Sequence, residues 1–198
     1  MRQILRTSLL ALAMVAACAA TASADQLVTN GDFQTGTFAG WTVNTSGATN
    51  HPWTIQSNGS NFYASTGCVG IECIEGNSTQ EASLVQILST VAGQTYNLSF
   101  DYSPEDGTPT ELLVDFGSTQ VVDLVNVPDS IVHYSFDVVA PSGPLELMFL
   151  GRQDPSFNFL DNISVSTVSA ATPEPASLAL FGTGILGLVG VARRKLRA

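Results

Sequence analysis

Alternation of apolar and polar side chains is the dominant pattern between residues 26 and 168. In residues 95–101, Tyr96, Leu98 and Phe100 alternate with polar neighbours. The same spacing recurs in three later segments: Leu112, Val114 and Phe116; Tyr134, Phe136 and Val138; and Leu145, Leu147 and Phe149. Because successive side chains of a β-strand point to opposite faces, each segment is typical of a strand with one buried face. No segment of this region has convincing helical periodicity, so we predict an all-β domain.

Turn signals lie between these segments, among them Ala92-Gly93, Glu105-Asp106-Gly107 and Pro141-Ser142-Gly143-Pro144. Several short strands at this spacing favour a β-sandwich or a barrel. In the strand predicted around residues 111–116, we expect Glu111 and Asp115 to lie on the solvated face.

The first 24 residues have the pattern of a secretory signal peptide, the substrate of signal peptidase. Arg2 and Arg6 precede an apolar run, and Ala22-Ser23-Ala24 fits an A-x-A cleavage site, which predicts Asp25 as the mature start. An alternative is lipoprotein processing at Cys18, since the residues before it resemble a lipobox.

The C-terminal segment comprises residues 170–198, and Pro173-Glu174-Pro175 lies close to its start. An uncharged stretch over about residues 177–192 follows, and then a basic tail over residues 193–198. This stretch is close to the minimum of roughly 17 apolar residues that spans a bilayer, so we predict a transmembrane helix. Because positive residues stay on the cytoplasmic side, the domain over residues 25–169 is expected to face outward.

Charge is distributed very unevenly along the chain. Residues 25–172 contain sixteen acidic residues and a single basic residue, Arg152. Such a surface repels phosphate backbones, so the sequence argues against a nucleic-acid partner.

Cys68 and Cys73 are the cysteines that remain after the predicted signal cleavage. In an exported protein such a pair favours a disulfide over a metal site, since His51 and His133 are distant in sequence. The sequence contains no G-x-S-x-G elbow, no H-E-x-x-H motif and no phosphate-binding loop. A glycosidase could use Glu72 with Glu75 or Glu111 with Asp115 as its carboxylate pair, but a solvated acidic face explains these residues better. We therefore predict a protein that is not an enzyme.

The order Pro173-Glu174-Pro175, short apolar helix and Arg193-Arg194-Lys195 closely resembles the PEP-CTERM sorting signal. This resemblance implies that the chain is a substrate of exosortase, a membrane protease thought to cut near the Pro-Glu-Pro. It also implies an inner-membrane intermediate with a temporary anchor, followed by release to the cell surface, the outer envelope or the extracellular matrix. The family is associated with bacteria that make exopolysaccharide and biofilm. A permanent single-pass anchor is the alternative.

Two stretches near the ends of the middle region carry a second resemblance. Asn30-Gly31-Asp32-Phe33-Gln34 and Leu160-Asp161-Asn162-Ile163 resemble the opening and closing strands of galactose-binding-like jelly rolls, the fold of many carbohydrate-binding modules. The resemblance implies a jelly-roll β-sandwich. It also implies a structural calcium ion near Asp32 or Gln34 and Asp161, although Gln34 replaces the usual Glu and would weaken it. Alternatively, Asp32 closes a turn and Asp161 forms hydrogen bonds within the terminal strand. No cofactor is otherwise required.

Related modules stack aromatic rings on sugars, and Trp53, Phe62 and Tyr63 lie in a segment rich in Asn and Ser. These three residues are the candidate ligand-binding side chains, with the alternative that Trp53 covers the edge of the sandwich. Trp41 is assigned to the core. Two hypotheses remain: an extracellular module that binds polysaccharide, and a structural or adhesive surface protein without sugar specificity.

Overall fold

The computed structural model describes residues 25–44, 52–67, 82–141, 143–154 and 156–168, together with Gly182, Gly184 and Arg193. The chain divides into two units, of which Ala24–Val168 is one and the terminal segments Met1–Ser23 and Ser169–Ala198 are the other. Gly182, Gly184 and Arg193 are helical. Over the described residues, no helix has the length and apolar character needed to cross a membrane.

Ten strands form the described part of the domain. They are β1 (Thr42–Asn44), β2 (Thr54–Asn58), β3 (Asn61–Thr66), β4 (Ala82–Leu88), β5 (Thr95–Pro104), β6 (Thr110–Phe116), β7 (Thr119–Val125), β8 (Val132–Val139), β9 (Leu145–Gln153) and β10 (Asn158–Thr167).

The strands make two five-stranded antiparallel sheets that pack face to face as a jelly-roll sandwich. The first sheet has the order β1-β4-β9-β6-β7, and the second has the order β2-β3-β10-β5-β8. The pairs β2-β3 and β6-β7 are hairpins of consecutive strands, whereas the other neighbours are distant in sequence, because the chain passes repeatedly from one sheet to the other. The all-β prediction is confirmed.

The predicted alternation is confirmed in β5, β6 and β9, whose apolar phases form the core. Aromatic rings join the two sheets at its centre. Phe100 of β5 meets Phe149 of β9 edge to face, with ring centroids 5.5 Å apart. Phe149 in turn lies 6.2 Å from Trp41, which confirms Trp41 as a core residue. Edge-to-face pairs of this kind add to the free energy gained by burying the rings.

The prediction of a solvated face is wrong for Glu111. Its side chain is 2% exposed and lies in register between Val125 of β7 and Arg152 of β9. Arg152 lies directly across the strand pair from Glu111, so the two side chains leave the sheet on the same face. Asp115, four residues further on, is half-buried, and burial raises the pKa of its carboxyl group.

A buried amide connects the two sheets at one end of the core. Asn158 at the start of β10 accepts a hydrogen bond from the Tyr102 hydroxyl at 2.9 Å. Its Nδ2 donates to the main-chain oxygens of Arg152 at 2.9 Å and Glu111 at 3.2 Å, both in the other sheet. Because Asn158 is fully buried, these bonds satisfy its donors and acceptor without water.

The N-terminal segment runs along β10 but is not the strand that we predicted. It makes one bridge, Gln26 to Ser166, and then enters a series of turns. The Leu27 amide donates to the Val165 oxygen at 2.8 Å, and the Ile163 amide donates to the Gly31 oxygen at 2.9 Å. A side chain at Gly31 would meet the Ile163 oxygen at 2.0 Å, so only glycine allows this close approach.

Trp53 is a core residue, which corrects its assignment as a sugar-stacking platform. Its side chain is 3% exposed, and the indole Nε1 donates to the Ala82 oxygen at 2.9 Å. Its ring lies against Gly151, where an added Cβ would meet the ring at 3.1 Å. Neither face of the indole is therefore available to a ligand.

We expect Trp53→Ala to destabilise the domain by about 3–5 kcal/mol, because it removes a large buried ring and leaves the Ala82 carbonyl without its donor. Urea unfolding followed by fluorescence measures the change. Val139→Ala is the control, since Val139 is 58% exposed and its truncation should change stability by less than about 0.5 kcal/mol. Unchanged stability of the Trp53 variant would contradict its placement in the core.

Candidate functional site

A groove crosses the outer face of the second sheet over its central strands β3, β10 and β5. Its volume is about 340 Å³. We call it the central groove, and the residues that define its chemistry are Asn61, Tyr63, Asp101, Phe159, Asp161 and Asn162. Five of them are brought together because each occupies the outward phase of its strand, opposite the phase that fills the core, and Asn162 joins them from an irregularity in β10.

Two aromatic rings form the apolar part of the central groove. Tyr63 of β3 and Phe159 of β10 meet edge to face, with centroids 5.4 Å apart and an interplanar angle of 89°. Both side chains are half-buried, so each keeps part of its ring exposed to solvent. The perpendicular arrangement gives the groove an apolar corner to which a flat, partly apolar ligand face can bind.

The polar part of the central groove is a row of side chains across three strands. Asp161 of β10 lies directly opposite Asp101 of β5, and Asp101 lies directly opposite His133 of β8. His133 Nδ1 and Asp101 Oδ1 are 2.6 Å apart. The His133 side chain is 62% exposed and the Asp101 side chain 24% exposed, so the row borders solvent.

A β-bulge in β10 positions the two carboxylates. The register between β10 and β5 shifts between Asp161 and Ser164, and Asn162 within this bulge has a φ of 52°. Asn tolerates this left-handed conformation better than most residues. From it, the Asn162 side chain donates to Asp101 Oδ2 at 2.7 Å, and its main-chain amide donates to Asp161 Oδ1 at 2.8 Å. One residue thus binds both carboxylates.

The carboxyl group of Asp161 has a raised pKa. Burial is the largest cause, and the negative charges of Asp101 and Asp32 add to it. Hydrogen bonds from Asn61 Nδ2, at 3.1 Å, and from the Asn162 amide lower this pKa, but by less than the other causes raise it. The net direction shows that the ionised form of Asp161 is less stable in the folded domain than in water.

The candidate calcium ligands Asp32, Gln34 and Asp161 belong to one hydrogen-bond network, but their arrangement does not fit a calcium ion. The Gln34 Nε2 atom donates to the main-chain oxygen of Asp32 at 2.9 Å, to Asn61 Oδ1 at 2.9 Å and to the main-chain oxygen of Phe62 at 3.2 Å. An amide nitrogen, which cannot bind a cation, is therefore directed at three of the oxygens around the candidate site. Within the described ranges, no three His, Cys, Asp or Glu side chains are grouped closely enough to hold a metal ion.

The structure separates the three aromatic residues proposed from the sequence as ligand-binding. Tyr63 lines the central groove, Phe62 packs against the core from the inward phase of β3, and Trp53 is buried. Sequence reasoning missed Phe159 and Asp101 as site residues. The sequence pattern that could have identified them is strand alternation. Phe159 and Asp101 are adjacent to Leu160 and Phe100, whose apolar side chains face the core, so Phe159 and Asp101 must face outward.

Several predicted residues lie outside the described part of the chain. These are the signal segment 1–24, the cysteine pair Cys68 and Cys73, His51, Glu72, Glu75, and the sorting residues Pro173, Glu174, Pro175, Arg194 and Lys195. Their roles stay predictions as far as the structure is concerned.

Comparison with a family model identifies the C-terminal segment. Residues 171–195 match the PEP-CTERM protein-sorting motif. The sorting signal predicted from Pro173-Glu174-Pro175 and the basic cluster is therefore confirmed. It indicates an exported, surface-directed protein. No curated protein sequence matches the chain.

Solved structures with the same fold come from proteins of several kinds. A CBM4 carbohydrate-binding module is similar with a TM-score of 0.51 and 15% identity, over 71% of this chain and 99% of that one. The K3 cleaved adhesin domain of Lys-gingipain from Porphyromonas gingivalis has a TM-score of 0.52 and 17% identity, over 73% and 99%. The enzymatically active domain of tailspike protein 4 from bacteriophage CBA120 has a TM-score of 0.55 and 15% identity, over 72% of this chain.

The present chain spans only 21% of the tailspike structure. At these identities the likeness establishes the fold, a jelly roll of the kind found in carbohydrate-binding modules. Fold alone does not determine function, because the same sandwich carries many different sites.

The raised pKa of Asp161 predicts a pH dependence of stability. Since the folded domain binds this proton more tightly than the unfolded chain does, Asp161 contributes stability below its unfolded pKa of about 3.9 that is lost as the pH rises through the folded pKa. Acidification from neutral pH towards about pH 4 should therefore stabilise the wild type more than Asp161→Asn, as measured by urea midpoints.

Asp123→Asn is the matched control for this measurement, since it removes the same charge from an exposed position of β7. It should retain the full response to pH. If Asp161→Asn and the wild type respond identically to acid, the origin of the effect lies elsewhere in the acidic surface.

Proposed function

We propose that the domain is a non-catalytic module that binds extracellular polysaccharide along the central groove. The observation that carries the proposal is the combination of the Tyr63–Phe159 corner with carboxylate and amide side chains on one exposed sheet face. Sugar rings have apolar faces and a rim of hydroxyl groups, so their recognition needs aromatic surface and hydrogen-bonding groups together. The fold shared with a carbohydrate-binding module supports this proposal as an analogy.

The hydrogen-bond pattern supports a binding role over a catalytic one. Both oxygens of Asp101 have protein partners, His133 and Asn162, and both oxygens of Asp161 accept from Asn61 and Asn162. A general acid must hold a proton on an oxygen that is free to give it to the substrate. Carboxylates held in this way are better suited to accepting additional hydrogen bonds from ligand hydroxyl groups.

Tyr63→Ala is expected to weaken polysaccharide binding about tenfold without unfolding the domain, because Tyr63 contributes exposed ring surface and is only half-buried. Affinity electrophoresis or calorimetry against a panel of polysaccharides, including those of the host, measures the effect. Ile87→Ala is the matched control, since Ile87 is 60% exposed on the first sheet, and it should bind normally. Binding should be the same with a chelator and with calcium.

The same panel tests catalysis and the alternative function. Release of reducing ends from any bound polymer would make the domain an enzyme. Absence of binding to every polymer would favour a structural or adhesive surface protein, a role for which the fold also has precedent in an adhesin domain.

The sorting motif supports a second part of the proposal, which concerns processing. Signal peptidase removes residues 1–24, the segment over about residues 177–192 anchors the chain transiently in the inner membrane, and an exosortase-type protease cuts near Pro175. The domain is then released to the surface or the extracellular matrix.

Replacement of Pro173, Glu174 and Pro175 by Ala should therefore leave full-length tail in the inner membrane. The wild type should appear in outer fractions without the residues beyond about Pro175, as mass spectrometry of the C-terminus would show. Asp123→Asn serves as the control and should be processed normally. An uncut wild-type tail confined to the inner membrane would instead indicate a permanent anchor.

A further inference from the structure

We infer that the central groove selects its ligand by charge, binding uncharged polysaccharides and rejecting anionic ones such as uronic-acid polymers. The inference rests on the proposed function and goes beyond it, because it specifies the chemical class of the ligand.

The two carboxylates belong to one continuous negative site. Asp161 and Asp101 are direct cross-strand neighbours, an arrangement that brings like charges close together and is normally unfavourable. Asp32 contributes to the field at Asp161 from the N-terminal segment. A ligand in the groove therefore lies against negative charges on both neighbouring strands.

The neutral Asn162 side chain keeps this negative charge in place. It donates to Asp101 while its main-chain amide donates to Asp161, so neither carboxylate is free to turn away from the groove. Asn61 holds the second oxygen of Asp161 from β3. These donors are amides, so they fix the orientation of the carboxylates without cancelling their charge.

No Lys or Arg is available to neutralise the negative charge of the two groove carboxylates. Arg152 is the single basic residue between residues 25 and 172, and it belongs to β9 of the first sheet. His133 is the one group in the row that can become positive, and it is already bonded to Asp101. A carboxylate or sulfate on a ligand would meet repulsion here with no partner to bind it.

The hydrogen-bonding capacity of the groove also favours an uncharged ligand. Ionised carboxylates only accept hydrogen bonds, so the ligand must supply donors. The hydroxyl groups of an uncharged sugar supply them, whereas a uronate adds acceptors and negative charge. Charge and hydrogen bonding therefore favour the same ligand class.

The test compares polymers that share a backbone and differ in charge. Polygalacturonate is paired with its methyl ester, and carboxymethyl cellulose with hydroxyethyl cellulose. With the purified protein at low ionic strength, we expect at least one uncharged polymer to bind about tenfold more tightly than its anionic counterpart. The ratio should shrink as salt is added, since screening weakens the repulsion.

Asp101→Asn combined with Asp161→Asn should reduce the ratio to below about threefold, because it removes the groove charge and keeps the side-chain shape. Asp123→Asn combined with Glu146→Gln is the control, since it removes two charges from exposed positions of the first sheet and should keep the tenfold ratio. The ratio, unlike the affinity itself, is insensitive to a general loss of folded protein.

The possible outcomes distinguish charge selection from polysaccharide binding itself. Equal or tighter binding of the anionic members would overturn charge selection and leave polysaccharide binding intact. A ratio that changes equally in the groove and control variants would assign the selection to the overall charge of the domain and overturn the role of the two aspartates. Failure of every polymer to bind would overturn the proposed function itself.

Discussion

Contact between the two sheets through Phe100 and Phe149 is the interaction on which the rest of the domain depends. The rings meet edge to face at 5.5 Å, in the middle of two strands that are central to their own sheets. Each strand can present polar side chains to solvent only because its other phase is fully occupied in this core. The inward residues of these strands, such as Phe100, fill the core, and the outward residues of the same strands line the central groove. The groove therefore depends on the packing of the core behind it.

The bulge in β10 connects the core, the N-terminal segment and the groove. Ile163 is buried and donates its amide to Gly31, while the preceding residue, Asn162, binds the two groove carboxylates. In a regular strand Asn162 would point to the face opposite that of Asp161, and its two donors would not both reach Asp101 and Asp161. The irregularity that interrupts the sheet is thus the feature that organises its outer face.

The sequence was sufficient for the fold class because strand alternation is a local pattern, and residues 95–101 show it without interruption. It was insufficient for the site because the site depends on register. Asp101 and Asp161 are 60 residues apart in number and become neighbours only through the pairing of β5 with β10. Trp53 was misassigned for a related reason: its polar neighbours suggested a loop, whereas Ala82 and Gly151, both distant in sequence, enclose its ring.

The position of β10 has a consequence for the order in which such a chain can fold. This last strand lies in the middle of the second sheet, and Gln26, at the very start of the domain, bonds to Ser164 across 138 residues. The second sheet and the groove cannot be completed until nearly the whole domain is available to fold. The last strand that the fold requires ends at Thr167, so the sorting motif at residues 171–195 follows directly on a segment that both the sheet and the groove need.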